Sequence, residues 1–228
     1  MNRLCTVCGG KDFVEHQVLW PELCEQWELN EREITYVNRQ QGHCCVVCGS
    51  NMRSRVLALA LITSYQKQGF FRDLTSDSNF GEQKIVEINQ AGSLNHYLSE
   101  CPRHRLIEYP QFDMMNLDLP SGEYDIVIHS DTLEHVPDPL QGMKECHRIL
   151  RAGGKCFYTV PVIVDRMTKC RAGLPESYHG YPSQKAKDNL VHSEFGADVW
   201  KIPLQAGFNR VTIYTMDYPS AIAFEAVK

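Results

Sequence analysis

The sequence lacks any apolar run long enough to cross a bilayer. The longest, Val56 to Ile62, is far short of the ~18 residues such a span needs. The N-terminal residues contain no apolar signal-peptide core, so a cytoplasmic protein without membrane insertion is expected. Positive charge is also scarce. Lys and Arg total 23 against 28 Asp and Glu, a formal net charge of -5, which supplies no global attraction to nucleic acid. Low-complexity tracts are absent, and the one internal repeat is a pair of short cysteine turns. What is present is a 228-residue chain of ordinary globular composition, enough for one buried core and a small accessory module.

Cysteine is abundant, at ten residues. Without a secretion signal these thiols are expected to be reduced or metal-bound rather than disulfide-linked. Cys5-Thr-Val-Cys8-Gly9 and Cys45-Val-Val-Cys48-Gly49 are near-copies of one knuckle. Each places two thiolates on a tight turn completed by glycine, and together they can close a tetrahedral Cys₄ site for structural zinc. The 36 intervening residues leave room for a helix or hairpin over Trp20 to Asn38, and Cys44 is the nearest substitute ligand. Cys24, Cys101, Cys146, Cys156 and Cys170 have no comparable spacing and read as inert thiols.

The densest information lies between Tyr124 and Gly154. Ile126, Val127 and Ile128 form a continuous apolar run, the pattern of a parallel strand covered on both faces. Asp138 can cap a helix with Pro139 at its first position, and Leu140, Met143, His147 and Leu150 recur at helical spacing before Gly153 and Gly154. Lys155 to Val160 reads as the next strand. Upstream, Lys84 to Ile88 reads as a strand with Glu87 one residue before its end, followed by a turn of Asn89, Gln90, Ala91, Gly92 and Ser93 and a helix near Leu94 to Glu100. Arg105 to Tyr109 is a second strand whose Glu108 lies 21 residues after Glu87. That is close to the ~20-residue separation at which a carboxylate can reach a ribose. After Arg53-Ser-Arg55, Val56 to about Gln68 reads as an apolar helix, 73–81 as a loop or module boundary, Glu194 to Phe208 as the last core helix and its turn, kinked at Pro203, and Val211 to Met216 with Ala221 to Ala226 as an antiparallel pair.

The pattern hydrophobic-Asp125-hydrophobic through Leu133-Glu134-His135-Val136, then a helix ending in Leu-x-x-Gly-Gly, resembles the second half of a class I S-adenosylmethionine-dependent methyltransferase of the type 11 kind, here with an N-terminal zinc-knuckle module. The resemblance implies a Rossmann-like α/β sheet, mostly parallel with an antiparallel final strand. It places the zinc module and a linking helix in residues 1–72, the catalytic domain in 73–228, and a substrate or lid segment near 162–192. It assigns S-adenosylmethionine to Glu87, Asn89, Ala91, Gly92, Glu108 (ribose), Asp113 and Met114 (adenine), His129 and Ser130. The turn departs from the family by putting Asn89, Ala91 and Ser93 where glycines usually stand. Asn tolerates left-handed dihedrals and Ala or Ser adds little bulk, so binding is still expected.

Catalysis of methyl transfer rests mainly on positioning and water exclusion, with a base needed only when the acceptor loses a proton. His129, Asp131 and His135 are the candidates, with His179, His192 and Glu194 farther along. The 162–192 segment carries five basic residues against three acidic ones, Lys185 and Lys187 among them, and has Tyr178-His179-Gly180-Tyr181 at its centre. Arg166, Arg171, Tyr178 and His179 are therefore expected to hold a small polar acceptor, such as a glycan or nucleotide-linked sugar. Two other classes remain open: an RNA methyltransferase that grips RNA through the zinc module, and a catalytically silent cofactor-binding module.

Overall fold

The computed structural model describes residues 4–179 and 187–228. Gly180, Tyr181 and Lys185 of the expected acceptor segment lie outside them. Along the chain the elements are β1 (Phe13–Glu15), α1 (Pro21–Gln26), α2 (Glu31–Gly42), β2 (His43–Cys45), α3 (Met52–Ser64), α4 (Phe71–Thr75), α5 (Ser78–Gly81), β3 (Ile85–Ile88), α6 (Leu94–Leu98), β4 (His104–Ile107) and β5 (Tyr124–Ser130). They continue with α7 (Pro139–Ile149), β6 (Leu150–Thr159), β7 (Val162–Ile163), β8 (Lys169–Cys170), β9 (Ser193–Gly196), α8 (Lys201–Gln205), β10 (Arg210–Met216) and β11 (Ala221–Val227).

Six strands form the central sheet in the order β10-β11-β6-β5-β3-β4. β3 pairs in parallel with β4 and β5, and β5 in parallel with β6. β11 returns antiparallel to β6, and β10 antiparallel to β11. Each inner strand is covered on both sides, so its alternate residues enter different cores. Ile85, Ile126, Ile128 and Phe157 face the layer built by α3, α4 and α6. Val86, Ile88, Val127 and Tyr158 face the layer of α7 and α8. The helices follow their local signals: Asp138 accepts from the Gln141 amide at 3.0 Å with Pro139 next in line, and Asn30 and Glu33 form a reciprocal capping box for α2.

The linking helix has a larger part than a tether. Asn51 caps α3 through the Ser54 amide, and the helix packs across β11, β10 and β6. One apolar cluster runs without a break from Cys5, Val7, Cys8 and Cys45 through α3 to Ile85 and Phe157.

Two sequence readings are corrected. The 73–81 stretch contains α4 and α5, capped by Asp73 on the Phe70 amide and by Asp77 on the Asn79 amide. Helices of one turn are too short to show periodicity. The expected helix from Glu194 to Phe208 is a strand followed by a short helix: Ser193 and Glu194 pair with Cys170 and Lys169, Phe195 pairs with Val162, and only Lys201–Gln205 is helical. Strand pairing with a distant segment overrode the local pattern there.

Candidate functional site

The two knuckles fold as copies. In each, the glycine adopts a left-handed φ (80° at Gly9, 71° at Gly49) and its amide donates to the first cysteine's carbonyl, at 2.8 Å to Cys5 and 2.9 Å to Cys45. The antiparallel pair β1–β2 closes the module. The four sulfurs lie within 4.8 Å of one another, with Cys5–Cys48 and Cys8–Cys45 both at 3.7 Å. Four bonds of ~2.3 Å in a tetrahedron put sulfurs ~3.8 Å apart, so the donor set fits zinc. Hydrogen bonds from Cys5 above all, and from Ser50, pull the Cys48 thiol down to about 4 against the opposing effect of burial. Cys44 is not in the cluster; its thiol faces the Gln41 carbonyl. From the cluster a chain of contacts runs onward: Cys48 Sγ to Ser50 Oγ at 3.0 Å, and Ser50 Oγ to Ser93 Oγ at 2.6 Å.

Ser93 ends the glycine-poor turn after β3. Glu87, fully buried, builds that turn rather than lining its cavity: it accepts from the Ala91 amide at 2.6 Å, the Asn95 amide group at 2.8 Å, and faces His104 Nε2 at 2.7 Å. Asn89 takes φ 53°, the left-handed conformation usually left to glycine, and its carboxamide receives the Tyr109 amide at 3.1 Å. Gly92 is required on both counts: φ is 57°, and a Cβ there would sit 2.7 Å from Ser54 Oγ.

Beyond the carboxyl ends of β3 and β5 opens a cleft of about 360 Å³. It includes Asn89, Asp113, Met114, Asp131, His135 and His192 in its lining. This is the switch-point position at which open α/β sheets bind ligands. Left-handed Asn89 lets the backbone come close to a ligand, and Met114 and Phe112 offer apolar walls, so the residues fit S-adenosylmethionine. Glu108 is exposed at the rim beside Tyr109, with the Gln90 side chain 3.4 Å away. Ser130 points away from the cleft to Thr159, 2.7 Å distant.

His129 is taken out of the site by strand alternation. It falls on the Val127 face, fully buried, stacked on Tyr158 at 5.1 Å, and neither ring nitrogen has a partner among the described residues. Burial pushes it down to about 3, so it is neutral. His129→Phe is expected to leave turnover unchanged and to raise stability by about 1 kcal/mol, because an unsatisfied polar ring becomes an apolar one. A thermal melt and an activity assay check this, and a large loss of turnover would return His129 to the site.

A polar partition stands where Asp131 and Glu134 follow β5. Asp131 adopts φ 50° and pairs with Arg53, which is nearly fully buried at the start of α3. With its amide oxygen turned to the guanidinium, Gln41 accepts from Arg53 at 2.6 and 3.0 Å. Burial pushes both Asp131 and Glu134 up to about 7, against the pull of Arg53. His135 donates from Nδ1 to the Leu190 carbonyl at 3.0 Å and meets His179 edge-on at 5.1 Å.

On the far side lies a second cavity, about 530 Å³. Trp20, Trp27, Leu23, Val37 and Ile163 give it an apolar lining, with Gln41 and His179 at the partition. The sequence reading did not find this cavity or Arg53; its walls come from α1 and α2, inserted between the knuckles, meeting Pro161 to Ile163. The expected acceptor donors are otherwise engaged. Arg166 binds both oxygens of Glu33, at 2.7 and 2.6 Å, and the carbonyls of Trp27 and Glu28. Arg171 is paired with Glu194 and bonded to the Pro175 carbonyl, and Tyr178 donates to Glu176. The two arginines flank a separate cavity of about 300 Å³ with Lys169. Only His179 of the four reaches the partition.

Residues 70–158 match the family model described as a methyltransferase domain. A ubiquinone biosynthesis O-methyltransferase of Coxiella burnetii (strain Dugway 5J108-111) is 28% identical over 116 residues, 50% of this chain and 41% of that protein. Its counterpart from Pseudomonas paraeruginosa (strain DSM 24068 / PA7) is 38% identical over 53 residues, and the chain spans 22% of that relative's length. Among solved structures, the CurJ carbon methyltransferase aligns with a TM-score of 0.49 at 10% identity, covering 90% of this chain and 69% of that one. A possible histamine N-methyltransferase from Thermotoga maritima aligns with a TM-score of 0.40 at 16% identity, over 64% of this chain and 83% of its own.

Proposed function

We propose that the chain, whose residues 70–158 match the methyltransferase domain model, is a class I enzyme that transfers a methyl group from S-adenosylmethionine to a hydroxyl oxygen of an acceptor with an apolar, ring-bearing body. The observation that carries this reading is the large, tryptophan-lined cavity separated from the cofactor cleft by a partition of ionisable side chains. Bound S-adenosylmethionine supplies an already activated methyl group on a sulfonium. The protein's part is to orient and to move a proton. Left-handed Asn89 admits the methionine portion to the backbone, Glu108 holds the ribose, and Asp113 and Met114 flank the adenine. Trp20 and Trp27 pack against the acceptor ring. Asp131, lining the cleft beside Arg53, takes the hydroxyl proton. The name of the curated relatives, an O-methyltransferase, supports oxygen over nitrogen as the acceptor atom. A sugar acceptor has less support, because Arg166 and Arg171 are held by carboxylates of the chain itself.

The test is incubation with labelled S-adenosylmethionine and two acceptor panels, ring-hydroxyl compounds and nucleotide-linked sugars, alongside fractionated RNA. Label in the first panel is expected. Label only in sugars or RNA rejects the acceptor assignment, and cofactor binding without transfer to any fraction favours the silent module. Within the cleft, Glu108→Ala is expected to weaken cofactor binding by about 1.5 kcal/mol, roughly tenfold, through lost charge-assisted bonds to the ribose. Calorimetry measures it; unchanged affinity in the folded variant removes Glu108 from the ribose.

A further inference from the structure

The partition holds a group of atoms that the proton-transfer account leaves unused. Glu134 is 1% exposed, and neither carboxylate oxygen has a hydrogen-bond partner among the described residues. Its Oε1 lies 3.8 Å from His135 Nε2 and 3.8 Å from His179 Nδ1. These separations are too long for hydrogen bonds. They are the separations of ligand atoms that share an ion, since metal bonds of ~2.0–2.2 Å place two ligands roughly 3–4 Å apart. The three donor atoms all fall within 4.8 Å of one another. His135 is also set up as a ligand: its Nδ1–H is committed to the Leu190 carbonyl at 3.0 Å, which leaves the Nε2 lone pair toward Glu134. The His192 amide fixes the Glu134 backbone by donating to its carbonyl at 2.8 Å. The nearby Arg53 charge is balanced by Asp131. A buried carboxylate with no donor is strongly destabilising; a cation between it and two imidazoles removes that penalty.

We propose that Glu134, His135 and His179 form a second metal site, distinct from the cysteine cluster, for a first-row divalent ion. Two imidazoles and one carboxylate suit zinc, manganese or iron(II) rather than the all-oxygen shells of calcium and magnesium. The location gives the ion a use. His179 lines the apolar cavity and His135 the cofactor cleft, so an ion held between them lies where an acceptor hydroxyl would approach the methyl group. A divalent ion lowers the pKa of such a hydroxyl. That use rests on the methyl-transfer reading; the site itself does not.

The experiment titrates manganese(II) into the full chain with its cysteine cluster already loaded with one equivalent of zinc, and follows free manganese by electron paramagnetic resonance. Manganese competes poorly for thiolates, so the two sites are read separately. One manganese per chain is expected, with affinity at least tenfold weaker in Glu134→Gln and in His179→Gln while the zinc content stays at one. His179→Gln, at a partly exposed position, keeps the test valid should Glu134→Gln fail to fold. No manganese bound by the parent at millimolar concentration, or equal binding by parent and folded variants, overturns the proposal. Cofactor calorimetry on the same samples separates the two readings. Normal S-adenosylmethionine binding without manganese binding sinks the metal site alone, and manganese binding without cofactor binding sinks the methyl-transfer reading alone.

Discussion

We expect the parent chain to carry one zinc ion, and replacing Cys5 and Cys45 together with serine to abolish it and, with it, most S-adenosylmethionine binding. Sulfur separations of 3.7 Å match a zinc tetrahedron, and structural zinc contributes an apparent ~10–16 kcal/mol to folding such modules. A loss of that size is comparable to the ~5–15 kcal/mol by which a whole domain is stable. The effect reaches the cofactor because the module shares its core with α3. The Cys48–Ser50–Ser93 contacts also tie a cysteine of the cluster to the turn after β3, at which the methionine portion is proposed to bind. Elemental analysis and calorimetry check both halves. Ser93→Ala, which cuts the link without touching a ligand, should keep zinc and weaken the cofactor a few-fold. A zinc-free double variant that still folds and binds S-adenosylmethionine would overturn the structural role.

Much of this architecture was legible because its signals are local. The apolar run at Ile126 to Ile128, the Asp138-Pro139 cap and the paired C-x-x-C-G turns each declare an element or a ligand set within a few residues. The family resemblance assigned Asn89, Asp113 and Met114, and position at the strand end suggested Asp131 and His135; all five line one cleft. The reading failed where strand alternation was not applied and where the deciding contact is distant. His129 looked like a residue at the cleft mouth, yet period-two alternation already put it on the Val127 face and into the core. Arg53 lies 78 residues from Asp131, and nothing in either segment announces their pairing. The tryptophan-lined cavity needs α1 and α2 from one knuckle loop and Ile163 from beyond β6, a juxtaposition that only the tertiary fold creates.

Arg166 shows how the same contact can be read as binding or as architecture, and the two differ in outcome. Its guanidinium grips buried Glu33 with both ends and also satisfies the carbonyls of Trp27 and Glu28, so it fastens α1 and α2 to the segment after β7. Trp27 Nε1 donating to Ser177 Oγ at 2.8 Å and Val164 N donating to Tyr36 Oη at 3.2 Å are the companion ties. Arg166→Met strands the Glu33 carboxylate and is expected to cost about 3 kcal/mol, near the lower end of broken buried pairs because the arginine side chain is 31% exposed. For a chain of this size that lowers the melting temperature by roughly 10 °C. Amide exchange over 20–42 should quicken, the Michaelis constant for the acceptor should rise as the cavity wall loosens, and cofactor affinity should hold. Adding Glu33→Gln should restore much of the stability, because the stranded charge is gone. A direct grip on the acceptor by Arg166 would give the opposite pattern: a raised Michaelis constant at unchanged melting temperature, with no rescue from Glu33→Gln.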